Sequence, residues 1–367
     1  MLKEGQTAYL PVSITLPQNW NVAEHWHKSN EYFYYGSIFA SPFVTGMKTT
    51  REKDFPEANH IVCDSGGFQF TSGKNPPKVS SLDILRWQEG IGDVALTLDY
   101  PAYSYKLDKE DKKYVYYPRK DFEKYMKLSN DNAWTMLEAQ ENKKMELWAV
   151  CQGGTYNDIM EWYEHLTKEH TFPGYTFPMS STVTRRWNSE GTGDDWLGQL
   201  KFAKEVGTNF HFLGRSEPLL VLVYAKLAQK MKKLYTYDTA SAAMGLMQGK
   251  YTMPFFLSAL NFTKTTEPVK LDKDEHPGCN CPVCRKHTVG EIIKTYGLLL
   301  LHNVWVRVEW NNLCNGFVRD DDIFDDLVNK MLRLQPTYKK NIDKYKQGID
   351  NLIYDEPLKL EKVGSYF

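Results

Sequence analysis

Three cysteines within six residues, Cys279, Cys281 and Cys284, form a C-x-C-x-x-C run in which one tight loop can offer three thiolates to a single cation. Pro277, Gly278 and Pro282 supply the turn chemistry that such a loop needs. One imidazole added to three thiolates makes a closed tetrahedral shell, the structural rather than the catalytic form of a zinc site. His276 and His287 are nearest in sequence, while His302 stands at the end of a helix-like segment and, as a ligand, would pin the loop to that helix. One structural Zn2+ per chain is therefore expected. The remaining cysteines, Cys63, Cys151 and Cys314, are scattered, and the clustering of the other three suits a metal better than a disulfide framework.

Acids and amides recur at the ends of apolar runs. Cys63-Asp64-Ser65-Gly66-Gly67-Phe68-Gln69 sets an acid at a strand end, followed by two glycines that let backbone N–H groups approach a ligand. Thr97-Leu98-Asp99-Tyr100-Pro101, Val150-Cys151-Gln152-Gly153-Gly154, Gly214 after Leu213, and Tyr237-Asp238-Thr239-Ala240-Ser241-Ala242 repeat the arrangement. Taken alone, D-S-G-G is a common turn.

The elements that must position these groups are short strands alternating with helices. Strand character recurs at Tyr9 to Leu16, His60 to Cys63, Asp93 to Leu98, Glu146 to Cys151, Asn209 to Leu213 and Lys233 to Tyr237. Helical periodicity occupies Ser81 to Glu89, Asp121 to Met145, Asn157 to His170 and Pro218 to Lys233. This alternation fits either a doubly wound sheet or a closed (β/α)8 TIM-like barrel. Because Asp64, Asp99, Gln152, Gly214 and Asp238 each follow a different strand, the barrel is the expected α/β fold: its sites gather the C-terminal ends of many strands. Two connections are long for such a fold. Ala102 to Lys120 interleaves tyrosines with lysines, and Thr171 to Asp195 carries Arg185, Arg186 and Trp187, which could contact phosphate and stack on a base or form a solvated loop.

From about residue 255 the alternation fades into the cysteine-rich segment, then helical stretches at Thr288 to Trp305 and Asp320 to Leu334. The expected division is a main barrel over 1–254, a zinc-binding subdomain inserted late over 255–318 and a C-terminal helical segment over 319–367. The lysine- and tyrosine-rich tail from Pro336 to Lys346 reads as a solvated helix face. The 367 residues are 42% hydrophobic and 25% charged, a globular composition. A net charge of -1 means that any polyanion must meet a local basic patch, because the whole molecule offers no positive field. The first residues read as no secretory signal, and the apolar runs Leu219 to Leu227 and Leu298 to Val306 fall short of the roughly 20 residues that cross a bilayer. A cytoplasmic address and no membrane partner are expected.

The cysteine cluster and the acid motifs, taken in order over about residues 60 to 310, resemble the tRNA-guanine transglycosylase family. Tyr237 to Ala242, continuing to Gly249-Lys250-Tyr251, and the run Cys-Asn-Cys-Pro-Val-Cys look like its archaeal branch. The resemblance implies a (β/α)8 barrel with a zinc subdomain, and it favours His302 as the fourth ligand. It implies that Asp238 is the nucleophile and Asp64 the general acid/base. Asp99 would receive the N1 and amine edge of guanine, Gln152 with Gly153 and the Gly214 backbone its O6 side, and Phe68, beside Ser65, Gly66 and Gln69, would stack on the base. Family members pair near the zinc region, which implies a homodimer. The archaeal-like motifs stand in a chain that reaches residue 367 without the C-terminal RNA-binding modules of archaeal enzymes, and the Cys284 to His302 spacing is shorter than expected of the tRNA enzymes. In these respects the sequence is most similar to the DNA 7-deazaguanine transglycosylases, the DpdA branch of phages and genomic islands. That implies DNA and a 7-deazaguanine such as 7-cyano-7-deazaguanine as partners, in the host cytoplasm if phage-encoded. The alternative is the same exchange on tRNA.

Overall fold

Residues 3–12, 24–67, 69, 78–101, 103–107, 114–116, 119–153, 156–178, 196–239, 242, 279–339 and 341–355 are described by the computed structural model. Runs rich in β-branched and aromatic residues form the barrel strands: β1 (Thr7–Pro11), β2 (Ser37–Ala40), β3 (His60–Cys63), β4 (Val94–Leu96), β7 (Glu146–Val150), β8 (Gly174–Pro178), β9 (Asn209–Leu213) and β10 (Tyr235–Thr239). All eight pair in parallel, and β1 also pairs with β10 from Thr7 opposite Tyr235 to Pro11 opposite Thr239. At the remaining seam a single parallel bridge joins Val12 to Phe39. The expected (β/α)8 barrel is therefore the observed fold. Between β4 and β7 an antiparallel hairpin, β5 (Tyr103–Leu107) with β6 (Tyr114–Tyr116), occupies a stretch that reads as a loop in the sequence.

Helices fill the returns. Single turns α1 (Pro42–Thr45) and α2 (Arg51–Asp54) lead to β3, and α3 (Ser81–Ile91) is started by a capping box between Ser80 and Asp83. Next come α4 (Arg119–Ala139), α5 (Tyr156–Leu166), α6 (Trp196–Val206) and α7 (Pro218–Met231). After β10 follow α8 (Val289–Lys294), α9 (Tyr296–Phe317), α10 (Asp321–Leu334), α11 (Pro336–Lys339) and α12 (Ile342–Tyr354). The expected helix over Thr288 to Trp305 is thus two helices, and the second runs 22 residues. Among the described residues no helix is long and apolar enough to cross a membrane.

Two strands escape the sequence reading. β2, Ser-Ile-Phe-Ala, has only four residues, too few for a clear period. β8, Gly-Tyr-Thr-Phe-Pro, begins and ends on turn residues and lies inside the connection expected over Thr171 to Asp195.

Strand alternation sends one set of side chains into the barrel and the other toward the helices. Leu10, Phe39, Val62, Val94, Leu96, Trp148 and Val150 form one buried cluster. In the larger cluster Phe210 and Phe212 of β9 meet Phe202 of α6 and Tyr224 of α7, and the Phe212 and Tyr224 rings stack at 4.2 Å. Helix α7 is apolar nearly all round because α9, α10 and α12 pack over it. Its buried Lys226 donates to the Val318 carbonyl at 2.7 Å and pairs with Asp321, tying the start of α10 to the barrel. The C-terminal tyrosines are core rather than solvated face: Tyr338 and Tyr345 are buried, and Tyr345 stacks on Trp196 with ring planes 2° apart. Packing thereby overrides the polar composition of the tail.

Candidate functional site

Asp238 sits next to last in β10, at the mouth of the barrel, and is buried. Its Oδ1 accepts the Gly214 N–H at 2.8 Å. Gly214 can aim that N–H because its φ of +76°, in the left-handed region, suits a residue without a Cβ. The same oxygen lies 3.3 Å from Nε2 of His211, a fully buried side chain of β9 that the sequence motifs do not single out. The signal for it is subtle. In Asn-Phe-His-Phe-Leu the two phenylalanines face the helices, so His211 must face inward, where it stacks on Phe39 with ring centroids 4.9 Å apart.

Asp64 follows β3, and its N–H continues the ladder by donating to the Ala40 carbonyl at 2.7 Å. Burial raises its carboxyl above the ordinary aspartate range; hydrogen bonds from the Gly66 and Ser65 N–H groups oppose the shift, and the charge of Asp238 adds to it. Gly66 has a φ of +74°, and the Phe43 ring occupies the space a Cβ would need. A second residue absent from the motifs is Gln88 of α3. Its buried amide donates to the carbonyls of Leu96 at 2.9 Å and Asp64 at 3.1 Å, locking the ends of β3 and β4 together.

Asp99 follows β4 and is buried. The Ser65 hydroxyl donates to its Oδ1 at 3.2 Å, and the Gln152 amide, from the end of β7, donates to its Oδ2. Burial first and the charge of Asp64 second push the Asp99 carboxyl up to about 7, while the bonds from Gln152 and Ser65 work the other way. Gly67 is pressed against this residue: a Cβ there would lie 2.5 Å from the Asp99 carbonyl oxygen. At Gly153 a Cβ would lie 2.6 Å from the Ile159 N, so the Gln152 turn also requires glycine. Gln69 donates its N–H to Gly66 O at 3.0 Å, and its buried Oε1 has no partner among the described residues. Phe68, Arg185, Arg186 and Trp187 lie outside the described residues.

The expected metal ligands also come together. The donor atoms of Cys279, Cys281, Cys284 and His302 lie within 4.8 Å of one another, and all four residues are buried. His302 Nδ1 is 3.3 Å from both the Cys281 and Cys284 sulfurs. Backbone N–H groups turn toward the sulfurs, Cys281 N–H to Cys279 Sγ at 3.4 Å and Cys284 N–H to Cys281 Sγ at 3.2 Å, as in a loop wrapped around a cation. Three thiols and an imidazole collected in a buried core are the donor set of a closed tetrahedral shell and fit a site able to hold one metal ion. His287 is engaged elsewhere, with Nε2 2.9 Å from the Tyr32 hydroxyl, and His276 lies outside the described residues.

Helix α9 connects this cluster to the mouth of the barrel. Past His302, residues four apart form one polar row: Asn303 donates to Ala242 O at 3.4 Å, Arg307 to Ser216 Oγ at 3.1 Å, and Asn311 and Asn315 to Thr7 O at 3.1 and 2.9 Å. The row descends from just beyond Asp238 to the first residue of β1.

No protein-family model matches the chain. Similar curated proteins include the tRNA-guanine(15) transglycosylases of Methanococcus aeolicus, 26% identical over 84% of this chain and 44% of the relative, and of Pyrococcus furiosus, 25% identical over 81% and 48%. That of Thermococcus kodakarensis is 23% identical over 84% of this chain and 48% of its own length. The chain thus spans about half the length of the curated relatives it matches. With the barrel and the ordered acids, these similarities support a place for the chain in the transglycosylase family.

Proposed function

We propose that the chain is a nucleic-acid guanine transglycosylase that exchanges a guanine in DNA for a 7-deazaguanine, 7-cyano-7-deazaguanine being the expected base, through a covalent aspartyl-nucleotide intermediate. The observation that carries this reading is the convergence of Asp238, Asp64 and Asp99 at one barrel mouth with distinct partners for each. Asp238 attacks the anomeric carbon, the bond from that carbon to N9 breaks, and its electron pair leaves with guanine. Asp64, whose surroundings favour the protonated acid, gives a proton to the departing base and takes one from the incoming base. Asp99, in its carboxylate form, accepts from N1–H and the exocyclic amine, replacing the donors it now takes from Ser65 and Gln152. Adenine offers a different edge and would leave these buried groups unpaired. The target nucleotide must be flipped out or single-stranded to reach the mouth.

Cys279, Cys281, Cys284 and His302 would hold Zn2+ as a structural cross-link with no part in the exchange. In this reading 255–318 is the metal subdomain, with α9 shared between it and the barrel, and two chains pair near it. The DNA assignment rests on archaeal-like motifs combined with the short spacing from Cys284 to His302. Favouring the tRNA alternative is the tRNA substrate for which the relatives above are named. Purified protein incubated with radiolabelled guanine and, separately, duplex DNA, single-stranded DNA or unmodified tRNA decides between them. Label is expected in DNA; label in tRNA alone favours the alternative, and label in neither overturns the reading. Asp238→Asn should incorporate none while still binding free guanine.

A further inference from the structure

His211 and Gly214 meet Asp238 at the same carboxylate oxygen, Oδ1, and among the described residues no hydrogen bond or ion pair engages Oδ2. The His211 ring is fully buried and clamped between the stacked Phe39 ring and its register partner Thr236, whose Oγ1 lies 2.8 Å from Nδ1. The Thr236 hydroxyl has one proton and two acceptors, Nδ1 at 2.8 Å and the Phe210 carbonyl at 3.4 Å. Were the hydroxyl to donate to the Phe210 carbonyl, the ring proton would stand on Nδ1 and the bare Nε2 lone pair would face the Asp238 carboxylate at 3.3 Å; donation to Nδ1 avoids that repulsion and leaves the ring proton on Nε2. Nε2 makes no hydrogen bond among the described residues and faces Oδ1 at 3.3 Å, within ion-pair distance but outside hydrogen-bond geometry.

We propose that His211, held as its Nε2–H tautomer by Thr236, is a positioning residue that joins the Gly214 N–H on Oδ1 and thereby selects Oδ2 of Asp238 as the attacking oxygen. This rests on the transglycosylase reading. As Oδ2 bonds to the anomeric carbon and the electron pair of the bond to the base leaves with guanine, Oδ1 becomes the ester carbonyl and keeps both donors. When the incoming base attacks, the electron pair of the ester C–O bond returns to the carboxylate, and the two N–H groups receive the charge that reappears there. The pair therefore assists resolution of the intermediate as well as its formation. On this proposal the Gly214 N–H serves Asp238 rather than the O6 side of the base, which is recognised by Asp99 and Gln152, so His211 should act on turnover and not on base affinity.

The test uses the full chain, with His211→Phe, His211→Gln and Thr236→Val compared with wild type. Two readouts are needed: single-turnover exchange of labelled guanine into whichever polymer the wild type labels, and guanine affinity by calorimetry. His211→Phe should slow exchange by about 10- to 100-fold with guanine affinity unchanged. The glutamine amide reaches where Nε2 stands, so His211→Gln should recover most of the rate, and Thr236→Val should lie between. Independently of activity, 15N-histidine spectra assigned by difference against His211→Gln should show the Nε2–H tautomer, with that preference lost in Thr236→Val. Unchanged exchange in His211→Phe and Thr236→Val, or an Nδ1–H or imidazolium signature in the wild type, overturns the proposal. Absence of exchange in the wild type would instead overturn the functional reading, while the spectra still report on the tautomer.

Discussion

Asp99→Asn should make the protein more stable above neutral pH while removing base recognition. In the folded chain the Asp99 carboxyl titrates at about 7, against 3.8 for an ordinary aspartate. Between those values the folded site keeps its proton while the unfolded chain has lost it, so wild-type stability falls as pH rises and levels off above about 7. At about 1.4 kcal/mol per unit, the shift amounts to about 4 kcal/mol of stability forgone at pH 8. Asparagine has the same shape and no charge to bury, but its NH2 must face either the Ser65 hydroxyl or the Gln152 amide, and the imperfect match returns about 1–2 kcal/mol. A net gain of about 2–3 kcal/mol is expected at about pH 8, shrinking to nothing or a small loss near pH 4. Urea denaturation of wild type and variant at both pH values, with unchanged slopes, measures the difference. A variant no more stable than wild type at about pH 8 would show that the protein holds the Asp99 charge without cost, refuting the account of burial and of the Asp64 field.

The same titration predicts that wild-type affinity for guanine falls about tenfold per pH unit below about 7, because the carboxylate form does the recognising; calorimetry giving a flat profile from about pH 5.5 to 8 would contradict it. Gly67→Ala drives a methyl group into the Asp99 carbonyl and side chain, so guanine binding should weaken by at least tenfold, with little change in metal content. Cys281→Ser should lower bound zinc from about one per chain to near zero and lower the thermal midpoint, since apparent zinc affinity is folding free energy; elemental analysis showing full occupancy would remove Cys281 from the ligand set.

The legible parts of the site are those in which a single residue type does two jobs. An acid or amide at or just past the end of an apolar strand marks the mouth of the barrel, which is why Asp64, Asp99, Gln152 and Asp238 stand out in sequence. The cysteine loop is legible because metal geometry fixes its spacing. His211 and Gln88 hide inside a strand and a helix respectively. Each looks like a stray polar residue in an apolar pattern, and only the closed barrel reveals that one faces Asp238 and the other bridges two strand ends. β2 and β8 hide for another reason: β2 has only four residues, and β8 begins on Gly174 and ends on Pro178, residues that read as turn.

Helix α9 links the cysteine and histidine cluster to an acid on β10. A buried helix bearing Asn303, Arg307, Asn311 and Asn315 along one row forgoes apolar contact at each of those positions, and it recovers stability only while the row stays in register with the barrel. Sliding by one residue would break all four bonds at once. His302 is the neighbour of Asn303, so fixing its imidazole among three sulfurs fixes the phase and height of the whole row. The uppermost bond holds Ala242, four residues beyond Asp238, and the next holds Ser216, two beyond the Gly214 that donates to Asp238. A cation bound by Cys279, Cys281, Cys284 and His302 would thus bear on the orientation of Asp238 through the contacts of α9.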